Sequence, residues 1–242
     1  EKQLGLRSKK DIEKFGIAEF NRKCKESVWQ YKDEWEKLTE RIGFWLDLKN
    51  PYITYENSYI ETLWWIFKEI WNKKLLYKSH KVVPWCSRCG TGLSSHELAQ
   101  GYKEVEDTSV FVKFKVKAKT AEWKNTSILS WTTTPWTLPG NLALAINPKI
   151  DYVKVKNGNE FLVLAKSRLE VLGSGYEIAK DLKGKSLIGL SYESLFKIKP
   201  LVSKKSYKIY PADFVSTDEG TGVVHTAVMY GEDDYNLGKK VG

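Results

Sequence analysis

The sequence is poor in histidine, cysteine and methionine. Its 242 residues hold three histidines (His80, His96, His225), three cysteines and one methionine, Met229. Three scattered histidines make a histidine-rich catalytic metal centre unexpected. An odd cysteine count argues against a secreted disulfide framework and for a reducing compartment, so a cytoplasmic location is expected. No apolar run approaches the length of about 18 residues that spans a bilayer, and no signal-peptide pattern is visible. There is no G-x-S-x-G elbow and no H-E-x-x-H helix, which removes two common routes to hydrolysis. Gly184-Lys185-Ser186 has the end of a P-loop, but Ala179 stands where its first glycine belongs. Gly220-Thr221-Gly222 begins a dinucleotide fingerprint, but His225 holds the third glycine position, and Val223-Val224 favours a strand over a helix N-terminus. The sequence opens on Glu1 and its one methionine is internal. It therefore reads as a piece of a longer protein.

What is present is globular: 42% hydrophobic and 29% charged residues, with a net charge of +9. Residues 1–100 carry 18 basic and 14 acidic side chains, and the remainder carries 21 and 16, so the positive charge is spread evenly. Such a surface attracts an anionic partner, although a lysine-rich solvated surface explains it as well. Ile17, Phe20, Cys24, Val28, Tyr31, Trp35, Leu38 and Ile42 recur at steps of three and four, the mark of one helix face. Ser8 and Asp11 suit a capped turn before it. Asn50-Pro51 breaks the pattern, and Ile60, Leu63, Trp64, Phe67 and Trp71 line a second helix. Seven of the ten tryptophans precede residue 100 and are expected in the core of this helical part.

The period changes near residue 104. Val110, Val112, Phe114 and Val116 alternate with polar or outward positions, as in a half-buried strand. Ile128–Trp131 and Leu142–Ile146 are short apolar runs. Asp151–Val155 and Glu160–Ala165 flank Lys156-Asn157-Gly158-Asn159, a hairpin turn. Lys166–Leu172 and Tyr176–Leu182 suit short helices, and Tyr207–Tyr210 and Val223–Val228 suit strands. The expected fold is α+β, with a helical segment over residues 1–103 and a strand-rich domain over 104–242.

Two clusters carry chemistry. In Trp131-Thr132-Thr133-Thr134-Pro135-Trp136-Thr137-Leu138-Pro139-Gly140-Asn141, the prolines stiffen a loop that displays hydroxyls and backbone amides. Such a loop suits hydrogen bonding to a ribose and adenine, or is a turn satisfied by its own side chains. In Gly220-Thr221-Gly222-Val223-Val224-His225 with Gly231-Glu232-Asp233-Asp234-Tyr235, a strand ending in an imidazole precedes a carboxylate turn. A carboxylate there can hold an ammonium group, or Asp233 or Asp234 can cap a helix starting near Tyr235.

Together these two clusters resemble the editing domain of isoleucyl-tRNA synthetases. Val83-Pro84-Trp85-Cys86-Ser87-Arg88-Cys89-Gly90 onward to Glu97 resembles the segment that enters that domain from the catalytic core, and Trp45 to Trp71 resembles the core itself. Valyl and leucyl relatives usually show Thr-Thr-Arg-Pro where this chain has Thr133-Thr134-Pro135-Trp136. The core looks closer to the archaeal and eukaryotic type. Val228 departs from the family, which often has proline there. The H-x-G-H and K-M-S-K-S signatures of aminoacylation are absent, so the chain by itself is not expected to charge tRNA; ATP and Mg belong to the full-length parent.

The resemblance implies a β-barrel-like editing domain that hydrolyses the ester of Val-tRNA(Ile), with no cofactor for editing. It implies catalytic roles for Thr133, Thr134, His225 and Asp234: Asp234 on the α-ammonium, His225 against the amino-acid side chain, the threonines on the ester and its water. Thr132, Trp136, Thr137, Asn141 and Asp233 would contact substrate, with Trp136 seating the terminal adenosine. The partners implied are the tRNA(Ile) 3′ end carrying valine and the rest of the synthetase, with no membrane and a monomeric chain. Cys86 and Cys89 look like half of a zinc knuckle, which takes four ligands. His80, His96 or a neighbouring molecule would complete it, or the two thiols stay free. Two other readings stand beside this one: a valyl- or leucyl-type editing domain, and a non-catalytic zinc-knuckle module that binds tRNA.

Overall fold

The computed structural model describes residues 2–242. They form two compact units, one ending at Gly101 and one running from Tyr102 to Gly242.

The first unit is mainly helical: α1 (Lys9–Phe15), α2 (Ile17–Val28), α3 (Lys32–Arg41) and α4 (Asn57–Asn72). A two-stranded hairpin, β1 (Trp85–Cys86) with β2 (Thr91–Gly92), precedes α5 (Ser95–Ala99). Ser8 caps α1 by accepting the Asp11 amide, as its spacing suggests. Ser94 and Glu97 form a full capping box on α5. The apolar face read across Ile17–Ile42 is divided between two helices. The chain leaves helical geometry at Tyr31, and the Trp29 indole donates to the Tyr55 hydroxyl at 2.6 Å. That long-range contact lies beyond the reach of any periodicity. The expectation that the tryptophans here are core is also corrected. Among the described residues of this unit no side chain is buried, and Trp64 is 71% exposed. Each helix has an apolar stripe, but this unit supplies no second layer to cover it.

The second unit is built on strands: β3 (Val110–Lys115), β4 (Thr126–Thr132), β5 (Ala143–Ile146), β6 (Asp151–Asn157), β7 (Glu160–Ala165) and β8 (Tyr176–Lys183). A single-turn helix α6 (Gly184–Leu187), β9 (Lys208–Pro211), β10 (Val223–Thr226) and α7 (Glu232–Val241) complete it. Five strands pair in the order β3-β4-β7-β6-β8, and three in the order β10-β5-β9. Among the described residues neither sheet closes on itself, so the structure is two open sheets rather than one closed barrel. They are joined at two flanks. Val116 bridges to Tyr192 and Ser191 to Lys208, while the Ala165 amide donates to the Thr221 carbonyl. Phe114, Ile128, Leu144, Tyr152, Val163, Tyr192 and Ile209 fill the space between, each essentially excluded from solvent.

Tyr176–Leu182 is an edge strand, not the expected helix. It pairs with β6 along its length, and a tertiary partner of this kind overrides local propensity. Gly220 and Gly222 serve the meeting of the sheets. Both have positive φ, and a Cβ on Gly222 would lie 2.5 Å from that of Ala165. Only glycine lets the chain pass so close to β7 before entering β10. Tyr152 then donates to the Gly222 carbonyl at 2.7 Å, and Ser130 to the Val223 carbonyl at 2.8 Å.

Candidate active site

β4 ends at Thr132, and a short 3-10 helix, Pro135–Gly140, begins after Thr134. Proline at its first position fits, because that amide has no intrahelical partner. β10 lies beside β4 and carries His225; five residues after its end, Gly231 caps α7 and brings Asp234 into the first turn. Asp233 and Asp234 are therefore helical residues, and neither is the cap. The two segments enclose a cavity of about 190 Å³, lined by Trp131, Thr132, Thr134, Thr137, Val224, His225, Tyr230 and Asp234.

Of the residues singled out in the sequence, Thr132, Thr134, Thr137, His225 and Asp234 share this cavity. Asn141 is buried behind it, with its amide nitrogen 3.5 Å from His225 Nδ1. Thr133 is exposed and Trp136 is 69% exposed, both outside the lining. Asp233 lines a different depression, with Pro148, Pro211 and Phe214, because successive residues of a helix point in different directions. Asp233 and Asp234 therefore face different depressions. Trp131, Val224 and Tyr230 are cavity residues missed in the sequence. Alternation along β4 and β10 cannot say which end of a strand faces a cavity.

The hydrogen bonds are specific. The Thr132 hydroxyl accepts the Thr134 amide at 3.1 Å and lies 3.2 Å from the Thr134 hydroxyl. Thr137 donates its hydroxyl proton to the Thr134 carbonyl at 2.7 Å, and its oxygen lies 2.8 Å from His225 Nε2. Asp234 Oδ2 accepts the Ala227 amide at 3.2 Å. Burial holds the His225 pKa below its ordinary value, so the ring is neutral near pH 7. Burial pushes Asp234 above the usual carboxylate range; the Ala227 amide opposes this and neighbouring Asp233 adds to it. Asp234 has no ion pair among the described residues. A half-buried carboxylate beside clustered hydroxyls has the chemistry to accept a cationic group and to hydrogen-bond an ester or alcohol.

Cys86 and Cys89 sit apart, at the β1–β2 turn, where the Cys89 amide approaches Cys86 Sγ at 3.4 Å. Among the described residues no three His, Cys, Asp or Glu side chains gather where they could hold a metal. His96 contacts Gln100. Two thiols are half of a tetrahedral structural zinc set, and the described residues bring no third ligand to them.

Comparison with known proteins now bears on these features. A family model described as tRNA synthetases class I (I, L, M and V) matches residues 1–234. The chain is 53% identical over 240 residues to an isoleucine–tRNA ligase of Clostridium acetobutylicum, covering 99% of this chain and 23% of that protein. It is 50% identical to isoleucine–tRNA ligase 2 of Bacillus anthracis, covering 98% of this chain and 22% of that protein. The chain thus spans less than a quarter of the curated relatives it matches. Among solved structures, it is similar to the P. knowlesi cytosolic leucyl-tRNA synthetase editing domain, with a TM-score of 0.44 and 18% identity, covering 55% of this chain and 62% of that one.

Proposed function

This chain belongs to the class I tRNA synthetases of the I, L, M and V group, and from that premise we propose that its Tyr102–Gly242 unit hydrolyses the aminoacyl ester of Val-tRNA(Ile). The observation that carries the proposal is the joint lining of one small cavity by Asp234, His225 and the hydroxyls of Thr132 and Thr134. At about 190 Å³ the cavity suits an amino-acid-sized group rather than a whole nucleotide. The terminal adenosine then lies outside, where the exposed Trp136 offers a stacking face.

The chemistry follows from these side chains. Asp234 holds the α-ammonium by a charge-assisted hydrogen bond, and the arriving charge offsets the burial that raises its pKa. The Thr132 and Thr134 hydroxyls orient a water toward the ester carbonyl. His225, held by Thr137, bounds the space for the amino-acid side chain. No serine or cysteine nucleophile is needed, because an ester is activated enough for positioned water. Thr133 and Asp233 lie outside the cavity and take no part in this proposal. The need for a second site is known for this very family: a hydrophobic pocket separates isoleucine from valine by only about 150-fold.

The boundaries proposed are 1–103 for the segment at the core–insertion junction and 104–242 for the editing domain. Identity of 50–53% to isoleucine ligases, with Pro135-Trp136, favours isoleucyl over valyl or leucyl editing. The likeness to an archaeal and eukaryotic sequence type stays a proposal; the relatives named above are bacterial. The deciding experiment incubates the purified chain with Val-tRNA(Ile), Ile-tRNA(Ile) and Thr-tRNA(Val). Release of valine with Ile-tRNA(Ile) left intact is expected. Preferential attack on Thr-tRNA(Val), or binding without hydrolysis, would reject the proposal.

A further inference from the structure

His225 sits within a chain of hydrogen bonds whose proton directions can be deduced. Tyr192 is completely buried, packed edge-on against Phe114 and Tyr207, and its hydroxyl lies 2.7 Å from Asn141 Oδ1. Burial raises the phenol's pKa far above its ordinary value, so Tyr192 is the donor in that bond. Asn141 then presents Nδ2 on its other side. One proton of Nδ2 goes to the Ala143 carbonyl at 2.9 Å, and the second faces His225 Nδ1 at 3.5 Å. A proton on Nδ1 would oppose the Asn141 donor, so Nδ1 is the bare nitrogen and Nε2 carries the hydrogen. At the far end Thr137 has already given its one hydroxyl proton to the Thr134 carbonyl, so its oxygen accepts from Nε2. The directions agree at both ends of the ring.

We infer that Tyr192, a core residue outside the cavity, is a positioning residue that acts through Asn141 to hold His225 as the neutral Nε2–H tautomer. His225 therefore has no lone pair free for a water. It acts as a fixed wall and holds Thr137, and the water is activated elsewhere in the cavity. The catalytic meaning of this role rests on the ester-hydrolysis proposal; the tautomer does not.

The test uses the full 242-residue chain with ¹⁵N-labelled histidine. Long-range ¹H–¹⁵N spectra at pH 7.5 should show His225 with Nε2 protonated and Nδ1 bare. Tyr192→Phe keeps the ring and its packing but removes the donor. It should shift His225 toward a mixture of tautomers and lower kcat for Val-tRNA(Ile) roughly tenfold, with KM little changed. An unaltered His225 spectrum in Tyr192→Phe would overturn the inference. Should that variant fail to fold, Asn141→Asp supplies the second measurement. Its carboxylate still accepts from Tyr192 but now faces Nδ1 as an acceptor, so His225 should become protonated at Nδ1. A ring that stays bare at Nδ1 in Asn141→Asp would equally overturn the inference. If the wild-type chain releases no valine, the functional proposal fails, while the spectra still decide the tautomer.

Discussion

Asp234 concentrates the conflict between stability and use at the scale of one residue. Its carboxylate is half-buried, with a pKa raised by desolvation and no cation beside it. The folded form therefore disfavours its charge, and any stabilising contribution is lost as pH rises through the folded pKa. Asp234→Asn keeps an oxygen for the Ala227 amide and removes the charge. We expect its melting temperature at pH 7.5 to equal or exceed that of the wild type, while Val-tRNA(Ile) deacylation falls by about 100-fold. Thermal melts and initial rates on the same preparation check both halves. His225 has the opposite sign. Its pKa lies below the ordinary 6.5, so the unfolded chain takes up a proton where the folded one does not. The stability of the neutral ring is full above about pH 6.5 and falls as pH drops toward the folded value. Urea midpoints from pH 7.5 to 5.5 should therefore decline more steeply for wild type than for His225→Gln. His225→Ala should in addition open the cavity to isoleucine, seen as new hydrolysis of Ile-tRNA(Ile); unchanged selectivity would count against the wall.

Elements meet through two glycines. Gly220-Thr221-Gly222 began as half of a nucleotide-binding fingerprint, yet its glycines serve close packing. Gly222 has φ +69° and sits against Ala165, and Gly220 has φ +66° and sits against Trp131. Through this turn β10 comes to lie beside β4, which brings His225 to the threonines. Gly222→Ala combines a left-handed backbone with an overlap against β7, so a loss of roughly 2–4 kcal/mol is expected. A lower urea midpoint at unchanged slope would show it; a loss under about 1 kcal/mol would mean that β7 moves aside without cost. Strand existence was legible from alternation at Val110–Val116 and from the hairpin at Gly158. The edge strand Tyr176–Lys183 was not. It is exposed along most of its length, Ile178 included, and its partner residues on β6 lie 19 to 32 positions back, so no local pattern marks it.

For the whole molecule the division of burial is sharp. Among the described residues every buried side chain lies between Phe114 and Leu237, and none lies in the unit ending at Gly101. The Tyr102–Gly242 unit should accordingly unfold in one cooperative transition when expressed alone. The residues up to Gly101 expressed alone should melt without a cooperative step, with tryptophan emission close to that of a solvated indole. Circular dichroism and fluorescence melts of the two pieces test this. A cooperative transition in the helical piece would show that its apolar stripes pack on one another in solution.

The sequence alone determined which residue types were available: a stiff threonine loop and an acidic turn following a histidine, with no serine or cysteine hydrolase signature. Motif order and residue chemistry are local properties, and they carried the resemblance to the synthetase family. Tertiary structure decided the rest, because direction and burial are not local. It separated Asp234 from Asp233 and left Thr133 and Trp136 at the surface. It also recruited Tyr230 and Val224 to the lining, and set Tyr192, fifty-one residues from Asn141, as the donor that orients the amide behind His225.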